Sequence, residues 1–367
     1  MVVRLAERHE VALLAPKGAE EPGIDPKLAE ACNVVEEVPI PQVGKGIVVR
    51  ARHRAKIRAA LLRGLPTWAA ERRAPQFESQ LGALVQAWRP DLVQFEYRIM
   101  AQFLPAVAAV APCVLVEHDP VSGSSSRSWL ALLERRAWRR LAHVAACYAR
   151  AIVVLTERDR AAIEAECRPA RVERIPLGYG LPCTPLDPAG TNPGEIVYVG
   201  SFVHPPNVEG ARWLALDVFP FVKRRVPYAS LRLVGSQPTR EVLALQGDAI
   251  AVTGDVEAVS PYLDAAAVVA APIRSGGGMR VKVLEALSAG KAVVATPLAV
   301  DGLGVQDGEQ VMIAETESQF SGALIELLQD RERRVSLAGA ARRWAEANLD
   351  LDQRVRAYEA LYEEILR

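Results

Sequence analysis

The stretch Ile273–Thr296 reads IRSGGGMRVKVLEALSAGKAVVAT and joins a glycine-rich turn to a helix and a strand. Three glycines at 276–278 precede a short apolar helix, and Gly290 separates that helix from a run typical of a β-strand. The first helical turn carries Arg280 and Lys282, although the positive end of a helix dipole prefers acidic residues there. Glycines leave backbone N–H groups open to a ligand, and the added cations attract an anion. The stretch therefore predicts a site for a phosphate-bearing ligand.

The composition is that of a globular protein large enough for two domains. The chain has 367 residues, of which half are apolar and 24% are charged. Its five cysteines form no C-x-x-C pair, so we expect a reducing compartment such as the cytoplasm rather than a disulfide scaffold. The sequence contains no uninterrupted apolar run of about 18 residues that would predict a membrane-spanning helix.

The formal net charge is zero, but the charges are unevenly divided. Residues 1–180 have 26 Lys and Arg against 20 Asp and Glu, and residues 181–367 have 18 against 24. The segment 47–73 holds eight basic residues, which fall into two opposed stripes on a helical wheel and give a weak amphipathic signal. Peripheral contact with an anionic membrane and an ordinary solvated helix therefore both stay open. No nucleic-acid partner is expected.

Strand-like and helix-like segments alternate along the chain, which predicts an α/β protein with parallel sheets and helices on both faces. Six prolines and glycines within 181–194 indicate a linker. We therefore expect a first domain over 1–180, the linker over 181–194, a second domain over 195–349 and a C-terminal helix over 350–367 that can cross back to the first domain. Helices are expected at 100–110 and at 208–226, the second with Asn207 as its N-cap.

Glycine and polar residues follow several of the predicted strands, at the edge where parallel sheets bind ligands. These residues are His118 in the first half and Gly200, Gly235, Thr253 and Gly254 in the second. Together with the three glycines at 276–278, they predict a ligand cleft shared by two domains.

Four motifs of the second half resemble a known family: GSFVHPPN at 200–207, LRLVG at 231–235, TGDV at 253–256 and the 273–296 stretch. Together they resemble retaining glycosyltransferases of the GT-B fold, family 4 type. LAERHEVALL, RPDLVQFE and VEHD match the first domain more loosely. The resemblance implies two Rossmann-like domains facing a cleft, the second holding a nucleotide-sugar and the first a glycan or glycolipid acceptor. It implies hexosyl transfer with retention at the anomeric carbon and no metal or cofactor.

The resemblance covers the donor site unevenly. Glu285 matches the second acid of the family's E-x7-E motif, which binds the ribose hydroxyls; the alternative is an ion pair with Lys282, one turn away. The first acid of that motif falls on Gly277, so recognition of the transferred sugar is unassigned. Arg280 and Lys282 are expected to neutralise the diphosphate as it leaves. The expected close contacts with the donor come from Gly200, Ser201, Gly235, Thr253, Gly254, Gly276, Gly277, Gly278 and Met279. Such contacts do not separate UDP, GDP and ADP donors.

The first domain supplies the acceptor side of the resemblance. His118 in VEHD matches the family's histidine at the junction of donor and acceptor, although a lone histidine is usually structural. Glu96, Tyr97 and Asp119 are further acceptor-side candidates. No carboxylate stands out as a covalent nucleophile, so the implied route to retention is same-face attack assisted by the leaving phosphate.

The beginning of the chain departs from the family pattern, which opens with a strand and a Gly-rich loop. Here residues 2–9 are already helix-like, so we expect either a misplaced start or a truncated, poorly active form. Two other functions stay open. One is a GT-B epimerase acting on a nucleotide-sugar; the other is a non-catalytic nucleotide-sugar binder, which the glycine at 277 favours. The expected localisation is cytoplasmic, with or without peripheral contact at the inner face of the cell membrane.

Overall fold

The computed structural model describes residues 1–19, 23–40, 47–118, 128–169, 171–276 and 281–367. The chain forms two compact units. Unit 1 contains Met1–Leu177 and Asp352–Arg367, and unit 2 contains Gly178–Gly276 and residues 281–351. No helix within the described ranges is both long enough and apolar enough to cross a lipid bilayer.

Unit 1 is built on two parallel sheets. The larger has four strands in the order β3-β4-β5-β6, and a separate pair joins β1 to β2. The strands are β1 (Ala12–Lys17), β2 (Val34–Pro39), β3 (Val93–Glu96), β4 (Cys113–Glu117), β5 (Ala151–Val154) and β6 (Val172–Arg174). The helices are α1 (Val2–Ala6), α2 (Pro26–Ala31), α3 (Ile47–Leu62), α4 (Thr67–Glu71), α5 (Pro75–Trp88), α6 (Leu104–Val107), α7 (Trp129–Tyr148), α8 (Glu157–Glu166) and α17 (Leu351–Leu366).

The central strands of unit 1 are buried at every position because both faces of the sheet are covered, and Glu117 at the end of β4 is their only residue that is not apolar. Leu115 and Ile152 face one core, which α5 and α7 help to form. Val114 and Val116 face the other, where Tyr358 and Leu361 of α17 pack against them. The last helix of the chain is thus part of the core of unit 1.

Unit 2 is a single six-stranded parallel sheet with the order β12-β11-β10-β7-β8-β9. Its strands are β7 (Asn192–Val199), β8 (Ser230–Val234), β9 (Ile250–Val252), β10 (Ala266–Ala271), β11 (Val293–Ala295) and β12 (Met312–Ile313). Its helices are α9 (Pro205–Trp213), α10 (Phe219–Arg225), α11 (Arg240–Leu243), α12 (Ser260–Ala265), α13 (Val281–Ser288), α14 (Pro297–Val300), α15 (Glu317–Gln329) and α16 (Arg331–Asn348). Separate cores fill the two faces of the sheet.

The helices expected at 100–110 and 208–226 differ from the prediction in their bounds and in their hydrogen-bond pattern. Residues 98–103 form a 3₁₀ segment, and α6 follows from Leu104 with Pro105 in its first turn. In the second case the helix begins at Pro205, with His204 as its N-cap, so Asn207 lies inside it. A π-helical segment over 214–218 then precedes α10, because Pro220 cannot donate an intrahelical N–H. The second helix is therefore confirmed over most of its predicted length, but its predicted N-cap was wrong; at 100–110 the structure has only part of the predicted helix.

The segment expected to be a linker is anchored to unit 2. Strand β7 already begins at Asn192, and buried cations hold the residues before it. Lys291 is fully buried, and its Nζ donates to the carbonyl oxygens of Asp187 and Asp264. Burial lowers the pKa of Lys291 to about 8. Arg334 Nε donates to the Ala189 carbonyl oxygen at 3.0 Å. Proline and glycine here indicate irregular backbone, but that backbone is packed and hydrogen-bonded.

Candidate functional site

The carboxyl edge of β7 and β8 in unit 2 is closed by contacts between two loops. Gly235 has a φ of +150°, and a Cβ at this position would lie 1.8 Å from the carbonyl oxygen of Gly200. Phe202 N–H donates to the Ser236 carbonyl, and the Ser236 hydroxyl donates to the Ser201 hydroxyl at 3.0 Å. Only glycine permits this approach, so the two loops present adjacent backbone at the strand ends.

Asn207 and Tyr198 brace the turn that follows β7. The Asn207 side-chain amide donates to the Ser201 carbonyl oxygen at 2.8 Å. The hydroxyl of Tyr198 lies 3.3 Å from Asn207 Oδ1. Burial raises the pKa of Tyr198 far above its usual range, so this phenol stays protonated and can donate. The motif GSFVHPPN thus forms a rigid turn. Its asparagine lies inside the helix and hydrogen-bonds the turn, and it is not the N-cap.

The loop after β10 is held at the same edge. The buried Thr296 hydroxyl donates to the Ile273 carbonyl oxygen and also caps α14. Ser275 donates to Glu209 at 2.5 Å, and Arg274 lies 5.0 Å above the Trp213 ring. Gly276 has a φ of +90°, where a Cβ would lie 2.9 Å from the Pro206 ring. These contacts therefore fix the direction of the backbone over residues 273–276, where the glycine-rich stretch begins.

Helix α13 carries two of the predicted donor-binding residues. Lys282 Nζ lies 3.2 Å from Glu285 Oε2, so the ion pair considered as the alternative for Glu285 is present. The Glu285 side chain keeps 23% of its exposure, so solvent still reaches it. Tyr179 lies close enough that the charge of Glu285 adds to burial in raising the phenol's pKa. Sequence reasoning missed Tyr179, for which only proximity in the fold is a signal.

The remaining predicted donor residues divide into two sets. Thr253 follows β9, and its N–H donates to the Leu233 carbonyl oxygen at 3.1 Å. Gly254 has a φ of +74°, with open space where a Cβ would stand. Both lie at the same carboxyl edge as Gly235, because their strands are neighbours. The other set lies outside the described residues: Gly277, Gly278, Met279 and Arg280, and with them Asp119 of the acceptor side.

In unit 1 the structure brings three predicted acceptor-side residues into contact. His118 Nε2 lies 2.5 Å from Glu96 Oε2. The His118 ring stacks on Tyr97, with ring centroids 4.3 Å apart. A carboxylate only accepts hydrogen bonds, so the contact favours a proton on Nε2 and leaves Nδ1 as an acceptor. The side chains of Glu96 and His118 are 39% and 28% exposed, so a ligand can reach the pair.

Two further residues extend this contact into a hydrogen-bonded chain. Gln94 Nε2 donates to Glu96 Oε1 at 2.5 Å, and the Tyr362 hydroxyl donates to Gln94 Oε1 at 2.5 Å. Burial, and then the charge of Glu96, raises the pKa of Tyr362 well above its usual range. Gln94 was detectable in the sequence, because it precedes Glu96 by two residues on a strand and so shares its face. Tyr362 is 268 residues from Gln94, and no sequence pattern links them.

Tyr97 holds its position in an unusual backbone conformation. Its φ is 70° and its ψ is 140°, a region costly for a residue with a side chain. Its N–H donates to the Val116 carbonyl oxygen at 2.9 Å, which ties it to β4. The exposed Trp68 meets its ring edge-on, with centroids 6.3 Å apart. Strain of this kind persists only where surrounding contacts enforce it, and it is typical of functional edges.

Glu117 precedes His118 in the sequence but has a different environment. Its side chain is 1% exposed and pairs with Arg98 Nε at 2.8 Å, and Arg98 also pairs with Glu166 at 2.8 Å. Burial raises the pKa of Glu117 to about 7, in spite of the neighbouring guanidinium. Its second carboxylate oxygen has no hydrogen-bond partner among the described residues. The contacts of Glu117 are therefore those of a buried structural acid.

The chain offers no evident metal-binding cluster in the part that the structure describes: no group of three or more His, Cys, Asp or Glu side chains converges there. The chemically versatile groups are instead the His118–Glu96 pair of unit 1 and the Lys282–Glu285 pair of unit 2. One can orient a hydroxyl, and the other can bind a diol and a phosphate.

Comparison with known proteins gives matches to both units. The model for the glycosyl transferase 4-like domain matches residues 1–178, and the model for glycosyl transferases group 1 matches residues 193–330. A curated relative, described as an uncharacterized 44.6 kDa protein in the cps region of Klebsiella pneumoniae, is 26% identical over 140 residues. That match spans 36% of this chain and 36% of the relative.

Solved structures match nearly the whole chain. A sucrose-phosphate synthase from Thermosynechococcus elongatus is similar with a TM-score of 0.70 and 15% identity, over 99% of this chain and 91% of that one. The structure of Anabaena HepE in complex with UDP is similar with a TM-score of 0.67 and 14% identity, over 96% of this chain and 100% of that one. At such identities these likenesses establish the fold, and the expected parallel-sheet GT-B architecture is confirmed. Since family models match both halves of this fold, the chain belongs to the group 1 glycosyltransferases of the GT-B fold.

Proposed function

We propose that the protein transfers a hexosyl group from a nucleotide-sugar to a glycan or glycolipid acceptor, with retention at the anomeric carbon. The observation that carries the proposal is the carboxyl edge of unit 2, where braced glycine loops end close to one another on adjacent strands. Backbone N–H groups and helix starts at such an edge suit a diphosphate. HepE, which shares this fold, has been solved with UDP.

On the donor side, Glu285 accepts hydrogen bonds from the two ribose hydroxyls, for which a carboxylate has enough acceptor sites. Lys282 Nζ is paired with Glu285 Oε2 at 3.2 Å. An exposed pair of this kind contributes little to stability, so it can open at small cost. When donor binds, Lys282 exchanges the carboxylate for the diphosphate, which carries more charge. Arg280, two residues earlier in the sequence, is the second cation that we assign to the leaving group.

On the acceptor side, His118 and Glu96 form the pair that binds and orients the sugar. Glu96 holds the imidazole through Nε2, so Nδ1 can accept a hydrogen bond from a sugar hydroxyl. Tyr97, stacked on the ring, and Trp68 offer aromatic faces against which a sugar ring can pack. His118 then positions the sugar and does not itself attack the anomeric carbon.

Retention follows from attack on the face that the nucleotide leaves. The acceptor hydroxyl forms the new glycosidic bond as the bond to the diphosphate breaks, and the departing phosphate oxygen takes the hydroxyl proton. Lys282 and Arg280 stabilise the charge that develops on that oxygen. This route needs no carboxylate nucleophile. Contact of the basic unit 1 with an anionic membrane would place the enzyme next to a glycolipid acceptor.

The test begins with nucleotide binding. UDP, GDP and ADP are titrated by calorimetry into the wild type, Glu285→Gln and the control Glu346→Gln. Glu346 is the exposed partner of Arg342 on α16, also in unit 2. Glu285→Gln should weaken binding of the preferred nucleotide roughly tenfold to a hundredfold, and the control should leave it unchanged. Equal binding by all three proteins would show that the donor site lies elsewhere.

Transfer itself is tested with UDP-, GDP- and ADP-sugars and a panel of glycan acceptors. Proton NMR of the product then reads the anomeric configuration. An α-linked product from an α-linked donor supports the proposal, and an inverted product contradicts the same-face route. Tight nucleotide binding without any hydrolysis or transfer would favour a non-catalytic binder.

A further inference from the structure

The basic helix α3 shows a pattern that the sequence alone concealed. Its buried side comprises Ile57 and Leu61, turned toward α4 and α7, the helices it packs against. The opposite side has a second apolar strip, made of Ala51, Ala55, Ala59 and Leu62, all exposed. Leu62 retains 69% of its exposure. The helix therefore has two apolar faces, only one of which is used within the unit.

Cations stand along both margins of the exposed strip. At about 100° per residue, Arg54 and Arg58 fall one turn apart on one margin, and Arg52 and Lys56 fall one turn apart on the other. All four are exposed, and none makes an ion pair or a hydrogen bond with any residue that the structure describes. Arg54 and Arg58, together with the apolar strip beside them, line a shallow surface groove of about 490 Å³.

This arrangement is costly in water. The pairs Arg52/Lys56 and Arg54/Arg58 are like charges four residues apart, which disfavours a helix. Residues 47–62 include no Asp or Glu to offset them. A surface that keeps four unpaired cations beside exposed apolar side chains is complementary to a negative, partly apolar surface.

We infer that the outer face of α3 docks flat on an anionic lipid bilayer. The four cations contact lipid phosphates on both margins, and Leu62 and the alanines meet the boundary between headgroups and acyl chains. A bilayer fits better than an acidic protein helix, since one helix can neutralise only one margin while a lipid surface reaches both. The inference names the surface for the membrane contact proposed above and rests on that proposal.

Co-sedimentation with vesicles tests the inference. Vesicles of phosphatidylcholine alone are compared with an equimolar mixture of phosphatidylcholine and phosphatidylglycerol. The wild type should bind the mixed vesicles only, and raised salt should weaken the binding. Arg54→Glu/Arg58→Glu should lower the partition coefficient by about tenfold or more. The control Arg224→Glu/Arg225→Glu makes the same charge change at two exposed residues of α10 and should bind as the wild type does.

A second variant does not depend on charge. Ala55→Leu enlarges the centre of the exposed strip and should raise the partition coefficient severalfold, because more apolar area enters the lipid. An unchanged coefficient would show that this face does not lie against the bilayer. Equal binding by the wild type and Arg54→Glu/Arg58→Glu would also contradict the inference, while leaving a membrane contact elsewhere on unit 1.

Two other results would overturn it. One is wild-type protein that ignores phosphatidylglycerol. The other is a dimer, detected by analytical ultracentrifugation, that Arg54→Glu/Arg58→Glu abolishes without any vesicle binding; the occupant of the face would then be a second copy of the chain. Nucleotide titration of every variant keeps the outcome separate from that of the donor site, because α3 belongs to unit 1.

Discussion

The carboxyl edge of the four-stranded sheet in unit 1 and that of the six-stranded sheet in unit 2 differ in the groups that they present. In unit 2 the edge is mostly backbone, with the Gly235 loop against Gly200 and the Ile273 carbonyl held by Thr296. In unit 1 it is mostly side chains, with Gln94, Glu96 and His118 in one hydrogen-bonded chain. Backbone suits a ligand part that many donors share, such as a diphosphate, and side chains suit a part that varies between acceptors. Substitutions at the unit 2 edge should therefore be poorly tolerated, whereas substitutions at the unit 1 edge should change function by degrees.

The largest effect is expected from Gly235→Ala, at the backbone-lined edge of unit 2. A Cβ there would meet the Gly200 carbonyl oxygen at 1.8 Å, and the φ of +150° is itself unfavourable for alanine. We expect the free energy of unfolding of unit 2 to fall by about 3 kcal/mol or more, measured by urea denaturation. Gly254→Ala is the control, because only its φ of +74° opposes a side chain; it should cost about 1 kcal/mol. Equal losses would show that the loop contact is unimportant.

A second prediction concerns the buried acid beneath the unit 1 edge. Burial raises the pKa of Glu117 from 4.5 to about 7, so the folded protein holds a proton that the unfolded chain releases. The stability contribution of Glu117 is therefore full below pH 4.5 and is lost as the pH rises to about 7. The whole window corresponds to about 3 kcal/mol.

The measurement is urea denaturation of the wild type and Glu117→Gln between pH 4.5 and 7. Glutamine does not titrate, so the variant should lose this downward slope with pH even though breaking the Arg98 contact destabilises it overall. Glu166→Gln, at the partly exposed end of the same cluster, is the matched control; it removes only a minor cause of the raised pKa of Glu117, so it should retain most of the slope. A slope that survives in Glu117→Gln would mean that another group binds the proton.

The smallest expected effect lies at the far end of the side-chain network. Tyr362→Phe removes the hydroxyl that orients the Gln94 amide toward Glu96. The fraction of His118 protonated on Nε2, read by nitrogen-15 NMR, should fall, and turnover should drop roughly twofold to tenfold. Tyr358→Phe alters a buried tyrosine on the same helix for which no side-chain hydrogen bond is described, so it should change neither quantity. If both variants lower the fraction of His118 protonated on Nε2 to the same extent, α17 influences His118 through packing and not through the hydroxyl of Tyr362.

Periodicity and glycine placement were sufficient to predict the parallel α/β architecture. The strands around Leu115 and Val197 are continuous apolar runs, and such runs indicate a sheet covered on both faces. The Lys282–Glu285 contact was also foreseeable, because three residues along a helix place two side chains together. Helix bounds were predicted less well: the segment at 100–110 is a 3₁₀ helix up to Phe103 and an α-helix only over Leu104–Val107, and the helix expected from 208 begins at Pro205.

The sequence by itself thus determined what depends on neighbours along the chain: strands, helices, turns and contacts within one helix. The tertiary structure alone decided which strand ends meet. Glu96 reaches His118 across two strands, and Tyr362 reaches Gln94 from the last helix of the chain. It also decided which side of α3 is buried, since a helix with two apolar faces does not specify the one that will pack. The physical reason is that such pairings depend on how distant segments pack together, which no local pattern records.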